Sequence, residues 1–327
     1  MTIAVVGATG HTGRFVLAEL VRRGIPAVAI GRVPAKLAAL AAAPGVQTRV
    51  AAIDDPLALD RALAGTDAVI HCAGPFLDTA VPVIAAALRA RIHYVDLTAE
   101  QMSALSTFLA FDAPARAAGI VLAPAAGFFG GLGDLVATSA LGDWAQADEV
   151  ELRIALDHWW PTRGTRETGA RNAFARLVRE HGTLAVLQPG RHGGWDAGAP
   201  FGTVQLVPMP FSEIVLMAHH LNVSTLRSFL SENALRDVRD GATPEPLAAD
   251  ERGRSTQRFV LEALARKDGA ERRARVRGRD IYAVSAPLVV ETATRLCAGA
   301  GAPGARALGE LFDADAFLDA LGEHLAR

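Results

Sequence analysis

The chain is poor in the residues from which several kinds of site are built. Its two cysteines, Cys72 and Cys297, lie far apart and fit no metal-ligand spacing, so a reduced, cytoplasmic protein is expected. Only two tyrosines are present. Four residues beyond Tyr94 stands Thr98, and beyond Tyr282 stands Ala286, so the Tyr–Lys pair of short-chain dehydrogenases is excluded in its usual form. The net charge is only −2, and Lys and Arg are dispersed apart from one cluster, which leaves no basic face for nucleic acid. Alanine-rich stretches are broken by Arg, Asp or Pro before reaching the ~20 residues that a membrane span requires. The first residues enter a strand directly, leaving no room for a signal peptide, and no internal repeat is visible.

What is present begins with residues 1–32. Thr2 to Val6 is an apolar run of the kind a buried parallel strand needs. It ends in Gly7-Ala8-Thr9-Gly10-His11-Thr12-Gly13, and Phe15, Val16, Leu17, Leu20 and Val21 then repeat at helical spacing up to Gly24. Ala27 to Ile30 reads as a second strand. A glycine-rich turn between strand and helix lets backbone amides approach a pyrophosphate, with the helix N-terminus adding positive potential. The second strand ends Ile30-Gly31-Arg32, with Lys36 one turn later, where an NAD-selective fold usually carries Asp or Glu. A guanidinium there can hold a 2′-phosphate through two hydrogen bonds, which favours NADP(H) over a merely solvated pair of cations.

At 327 residues, half of them hydrophobic, the chain is long enough for two domains with proper cores. Helices over 34–42, 56–63, 80–90 and 99–118 alternate with strands over 46–53, 68–72, 92–95 and 120–123. The fold expected is α/β, a Rossmann-type doubly wound parallel sheet. Ligands in such sheets lie off the carboxyl ends of the strands. Four loops therefore face the cofactor: Gly7 to Gly13, Arg32 to Lys36, Cys72-Ala73-Gly74-Pro75-Phe76, and Asp96 to Glu100. Asp54 either approaches the adenine or is a solvated turn residue. From Glu149 the pattern changes to runs of strands, over 149–156, 184–187, 203–207, 214–217 and 222–230, with a helix over 166–180. A hairpin spans 257–276, and Arg272, Arg273, Arg275, Arg277 and Arg279 alternate as on a solvated strand face. A mainly antiparallel second α+β domain follows from this, and an exposed apolar face on its sheet would pair with a second copy in a homodimer. Helices over 280–298 and 314–325 close the chain. The domains expected are 1–125, 126–279, and a C-terminal part, 280–327, packing back on the first.

Candidate reactive residues have competing explanations. Asp96 and Glu100 follow the fifth strand, where they either position ribose or substrate or cap the next helix. Asp134, after the sixth strand, is similarly ambiguous. In His158-Trp159-Trp160-Pro161-Thr162-Arg163, two indoles and a guanidinium either line an apolar pocket that binds a carboxylate or make core or dimer contacts. His219-His220 is a proton donor or an exposed pair at a strand end. Cys72 reads as a small packing residue.

Taken together, several pieces resemble the saccharopine dehydrogenase-like NADP-binding family. They are GATGHTGR from Gly7, Gly31-Arg32 with Lys36, His71 to Phe76, Tyr94 to Glu100, and Ala126-Gly127-Phe128 running on to Gly133-Asp134. Arg163-Gly164-Thr165 and Arg279-Asp280-Ile281-Tyr282 with Ser285-Ala286 and Glu291 complete the set. His11 stands where relatives often carry an aromatic residue, and Phe129-Gly130-Gly131 departs from the more proline-containing form of the strand-six loop. The resemblance implies a two-domain oxidoreductase whose first domain holds NADP(H) and whose second covers the nicotinamide. It implies reduction of an imine or of an activated carbon–carbon double bond in a small-molecule substrate. The alternative is a non-catalytic NADP(H) redox sensor using the same first domain.

Overall fold

The computed structural model describes residues 1–190 and 193–327. β1 (Ile3–Val6) is buried along its whole length at the middle of a parallel sheet, which is why it reads as an unbroken apolar run. After it come α1 (His11–Arg22), β2 (Ala27–Gly31), α2 (Pro34–Ala38), β3 (Val46–Val50), α3 (Pro56–Leu63), β4 (Ala68–His71), α4 (Phe76–Ala90), β5 (His93–Asp96), α5 (Gln101–Ala118) and β6 (Val121–Ala123). Local chemistry sets several of these boundaries. Asp55 accepts from the Ala58 amide at 2.9 Å and Pro56 opens α3, a capped start with proline in its favoured place. The sheet order β6-β5-β4-β1-β2-β3 reverses direction at β1, so the loops after β1 and β4 open on one crevice.

An irregular turn over Phe128–Leu132 leads to α6 (Gly133–Leu141), a helix that the sequence pattern did not reveal. Then follow β7 (Ala147–Leu156), α7 (Arg163–Arg171), β8 (Leu177–Glu180), β9 (Thr183–Val186), β10 (Gly194–Asp196), β11 (Thr203–Pro208), α8 (Ser212–His220), β12 (Val223–Ser231), α9 (Glu232–Arg239), β13 (Arg258–Lys267) and β14 (Ala270–Arg279). The chain closes with α10 (Ser285–Cys297), β15 (Gly304–Ala305), α11 (Leu308–Leu311), α12 (Ala314–Ala320) and β16 (Leu325–Ala326). The second sheet has the order β10-β11-β12-β7-β13-β14-β16, with β8 also on β12 and β9 on β8. Its pairings are antiparallel except β12 with β7, so a mainly antiparallel sheet is what forms. α10 packs on α1, and β15 joins β6 as a seventh parallel strand, while β16 pairs with β14 in the other sheet.

Three expectations need correction. The helix expected over 166–180 is instead α7, which ends at Arg171, followed by strand β8. Residues 214–217, expected as a strand, lie in α8, where Ile214, Val215, Leu216 and Met217 are all buried. A short apolar run does not distinguish strand from helix. Here the segment is enclosed by α5, α6 and β12, and burying four large side chains at ~1.5–3 kcal/mol each outweighs a β-propensity scale about 1 kcal/mol wide. Finally, the face of the second sheet expected to be apolar is mixed: Ala155, Trp195, Leu206, Phe229 and Val260 cluster on it, and charge covers the rest. Glu149, Arg153, Glu262, Arg266 and Arg275 share it, with Arg266–Glu149 at 2.6 Å and Arg275–Glu262 at 2.8 Å. Arg272 departs from that alternation, its guanidinium lying over Trp144 at 4.3 Å. Among the described residues, no helix is long and apolar enough to cross a membrane.

Candidate functional site

The turn after β1 can be built only with glycine. Gly7 has φ +81°, and a Cβ on it would stand 2.8 Å from both Cβ and N of Ala73. A Cβ on Gly13 would stand 2.3 Å from the Gly7 carbonyl oxygen, so its absence lets α1 press against the turn. The amides of Gly7 and Ala8 donate to the Ile30 carbonyl, and that of Gly10 to the Gly7 carbonyl at 2.9 Å. No side chain caps α1 and no acid lies in its first turn, so its N-terminus offers positive potential beside the turn. Thr9, His11 and Thr12 are half-buried around it. Arg32 and Lys36 are exposed just past β2, and among the described residues neither forms an ion pair. Asp54 is exposed in the loop after β3, where its neighbour Asp55 is the capping residue. These groups fit a dinucleotide: a cradle that a Cβ would fill, an uncapped helix N-terminus, and two cations where a 2′-phosphate would lie.

The loop after β4 forms the other wall. The Cys72 amide donates to the Val6 carbonyl at 2.8 Å, and the Gly74–Pro75 peptide is cis. Burial pushes the Cys72 thiol far up, with the Asp96 charge adding to it, so the thiol stays protonated and acts in packing. His71 is fully buried with its ring edge-on to Phe76, and burial lowers its pKa to about 3, leaving it neutral. The Thr79 hydroxyl, 3.0 Å from His71 Nε2, donates to the Ala73 carbonyl at 2.7 Å.

Glu100 does not cap its own helix. Its carboxylate, 1% exposed, accepts from the Phe76 amide at 2.7 Å and so holds the start of α4. Burial raises its pKa, opposed by the amides of Phe76 and Leu77. Asp96 is equally occupied. One oxygen accepts from the amides of Thr98 and Ala125 at 2.9 and 2.8 Å, and the other from the Tyr94 hydroxyl at 2.8 Å. Burial raises its pKa against the pull of those donors, and it fastens the loop after β5 to the loop after β6. Asp134 lies inside the protein on α6, 2.7 Å from His220 Nε2, and accepts from the Gly309 amide at 2.7 Å. It joins α6, α8 and α11. Burial pulls the His220 pKa down, but the Asp134 carboxylate outweighs this and the net shift is upward. His219 stacks on Phe108 at 4.0 Å, so the two histidines end a helix rather than a strand.

The second domain sets Trp159 against the strand-six loop and leaves Arg163 exposed at the start of α7. The Trp159 ring stacks on Phe129 of the strand-six loop at 4.9 Å, and Phe129 packs on Phe211 at 4.2 Å. Trp160 stacks on His158 at 5.3 Å. Arg163 is 85% exposed and pairs with Glu167 at 2.7 Å, one turn along α7. The guanidinium that meets the aromatic cluster is Arg176, 5.0 Å over the Phe211 ring, donating to the Pro210 carbonyl and lowered in pKa by burial. Tyr282 is the central junction. Its hydroxyl accepts from Trp159 Nε1 at 3.1 Å and from the Thr162 amide at 3.3 Å, lies 2.9 Å from the Thr165 hydroxyl, and donates to the Trp160 carbonyl at 3.2 Å. The same ring meets His11 of the glycine turn edge-on at 5.2 Å. Sequence reasoning used Tyr282 to exclude a mechanism and as part of the late-helix resemblance, and gave it no place in the site. The available signal was its rarity, one of two tyrosines, next to the Asp280 turn.

Comparisons with known proteins agree with this fold. Residues 3–122 match the family model for the saccharopine dehydrogenase NADP binding domain. Apo saccharopine dehydrogenase (L-Glu forming) from Saccharomyces cerevisiae superimposes with a TM-score of 0.70 at 15% identity, covering 99% of this chain and 98% of the other. Amine dehydrogenase from Mycobacterium smegmatis superimposes with a TM-score of 0.53 at 14% identity, covering 95% and 96%. At these identities the likeness is one of fold. A search of curated proteins finds no sequence match.

Proposed function

We propose that this chain, whose first domain is an NADP-binding domain of the saccharopine dehydrogenase type, is an NADP(H)-dependent oxidoreductase that reduces a carbon–nitrogen double bond in a small metabolite. When bound, NADPH supplies the hydride. The glycine turn and the α1 N-terminus receive the pyrophosphate, Arg32 and Lys36 the 2′-phosphate, and the loop from Cys72 to Phe76 borders the nicotinamide. Trp159 and Phe129 exclude water above it, which strengthens polar contacts to a substrate.

The choice of bond rests on one observation. None of the three carboxylates offers an open oxygen: Asp96 and Asp134 are spent on structural bonds, and Glu100 holds the Phe76 amide with one oxygen while the other is sealed from solvent. An iminium takes hydride at carbon without a proton delivered there, whereas an activated C=C bond needs a proton at the neighbouring carbon. The same lack of an open carboxylate supports a second reading, a non-catalytic NADP(H) sensor. NADPH consumption assayed against amine–carbonyl mixtures and enoyl compounds separates them. Turnover with the first set supports the proposal, turnover with enoyl compounds alone reverses the bond assignment, and stoichiometric binding without turnover favours the sensor.

A further inference from the structure

Helix α7 is intrinsically weak. Its nine residues, RGTRETGAR, include two glycines and two threonines, and none is buried. Glycine is the poorest helix former after proline, and a helix this short does not persist on propensity alone. Contacts at its two ends and one midpoint hold it in place. At the start, Thr162 caps the Thr165 amide at 3.1 Å and the Tyr282 hydroxyl meets Thr165. Near the middle, Arg166 donates to the carbonyls of Asp240 and Thr243. At the far end, Arg171 grips Asp78 of α4 with two nitrogens, at 3.0 and 2.8 Å, both side chains being exposed. Just beyond, the Gln101 side chain pairs with both backbone groups of Leu177 at 2.8 Å. Thr168 thereby lies over the loop after β4, its hydroxyl 3.1 Å from where a Cβ on Gly74 would be.

We propose that α7 is a strap across the mouth of the cofactor cleft, latched by Arg171 on Asp78, and that its release sets the rate at which NADP(H) leaves. The inference rests on the cofactor assignment above. A helix of the second domain crosses the nicotinamide-side loop of the first, and its latch is an exposed ion pair, a contact weak enough to open repeatedly. Strap stability and cofactor residence are therefore coupled in both directions.

The test is NADPH dissociation followed by stopped-flow fluorescence on the full chain. Arg171→Glu and Asp78→Arg should each speed dissociation roughly two- to fivefold, the range an exposed ion pair spans, and combining both substitutions should restore the wild-type rate. Gly169→Ala should slow dissociation, because a Cβ there meets nothing within 4 Å and alanine favours the helix. Dissociation rates unchanged in the single variants, or not restored in the double, would overturn the strap while leaving the cofactor assignment standing. Wild-type protein that fails to bind NADPH would overturn both.

Discussion

The Tyr282 hydroxyl accepts a hydrogen bond from Trp159 Nε1 at 3.1 Å, while the same ring meets His11 of the glycine turn. One side chain thus links the roof of the proposed substrate site to the floor of the cofactor site. Tyr282→Phe keeps the ring and leaves the Trp159 and Thr162 N–H groups without their acceptor. Stability should fall by about 1–3 kcal/mol, and kcat/KM should drop more than NADPH affinity does. Urea unfolding together with steady-state kinetics checks both parts.

Arg32 bears on cofactor choice. Arg32→Ala should weaken NADPH binding on the order of 10- to 100-fold, about 1.5–3 kcal/mol for a lost charge-assisted contact, and leave NADH binding nearly unchanged. Titration with both cofactors measures this. Equal weakening of the two would make Arg32 structural.

Asp96 is read as a fastener. Asp96→Ala strands two amides and a phenol in the interior and should cost about 3 kcal/mol or more. Asp96→Asn, which keeps an oxygen for the amides, should cost about 1 kcal/mol and retain most of kcat. A folded Asn variant with kcat abolished would instead identify Asp96 as catalytic.

The His220–Asp134 pair sets a pH dependence. The folded-state pKa of His220 is raised from its ordinary 6.5, by Asp134 and to a lesser degree Glu310 against the opposing effect of burial. Its stabilising contribution is therefore complete below pH 6.5 and is lost as the pH climbs through the raised folded value. Buried His71 is shifted the other way, so the informative quantity is a difference. The melting-temperature gap between wild type and His220→Gln should be widest at mildly acidic pH and shrink above neutrality.

The first domain was almost wholly legible because its signals are local. Apolar strands and a turn that tolerates only glycine each depend on near neighbours in sequence. The second domain was less so. The run Ile214 to Met217 has no period that separates strand from helix, and only its enclosure by other elements makes it α8. Arg163 was conspicuous in sequence beside two tryptophans, yet one helical turn brings it to Glu167, while the less conspicuous Arg176 meets Phe211 across a fold that pairs distant segments. Glu100 likewise reaches back to Phe76, a partner 24 residues earlier. The face invoked for a homodimer is apolar only around Trp195, Leu206 and Phe229 and charged elsewhere, because the alternation that hides one face says little about the chemistry of the other.

The central claim is hydride transfer to a carbon–nitrogen double bond without a carboxylic acid supplied by the protein. The direct measurement is mass spectrometry of the product from NADPH deuterated at its transferable position, run in ordinary water and again in heavy water. The account predicts one cofactor-derived deuterium, on the carbon that bears the nitrogen of the product. Cofactor-derived deuterium on a carbon that bears no nitrogen, the mark of C=C reduction, would contradict it.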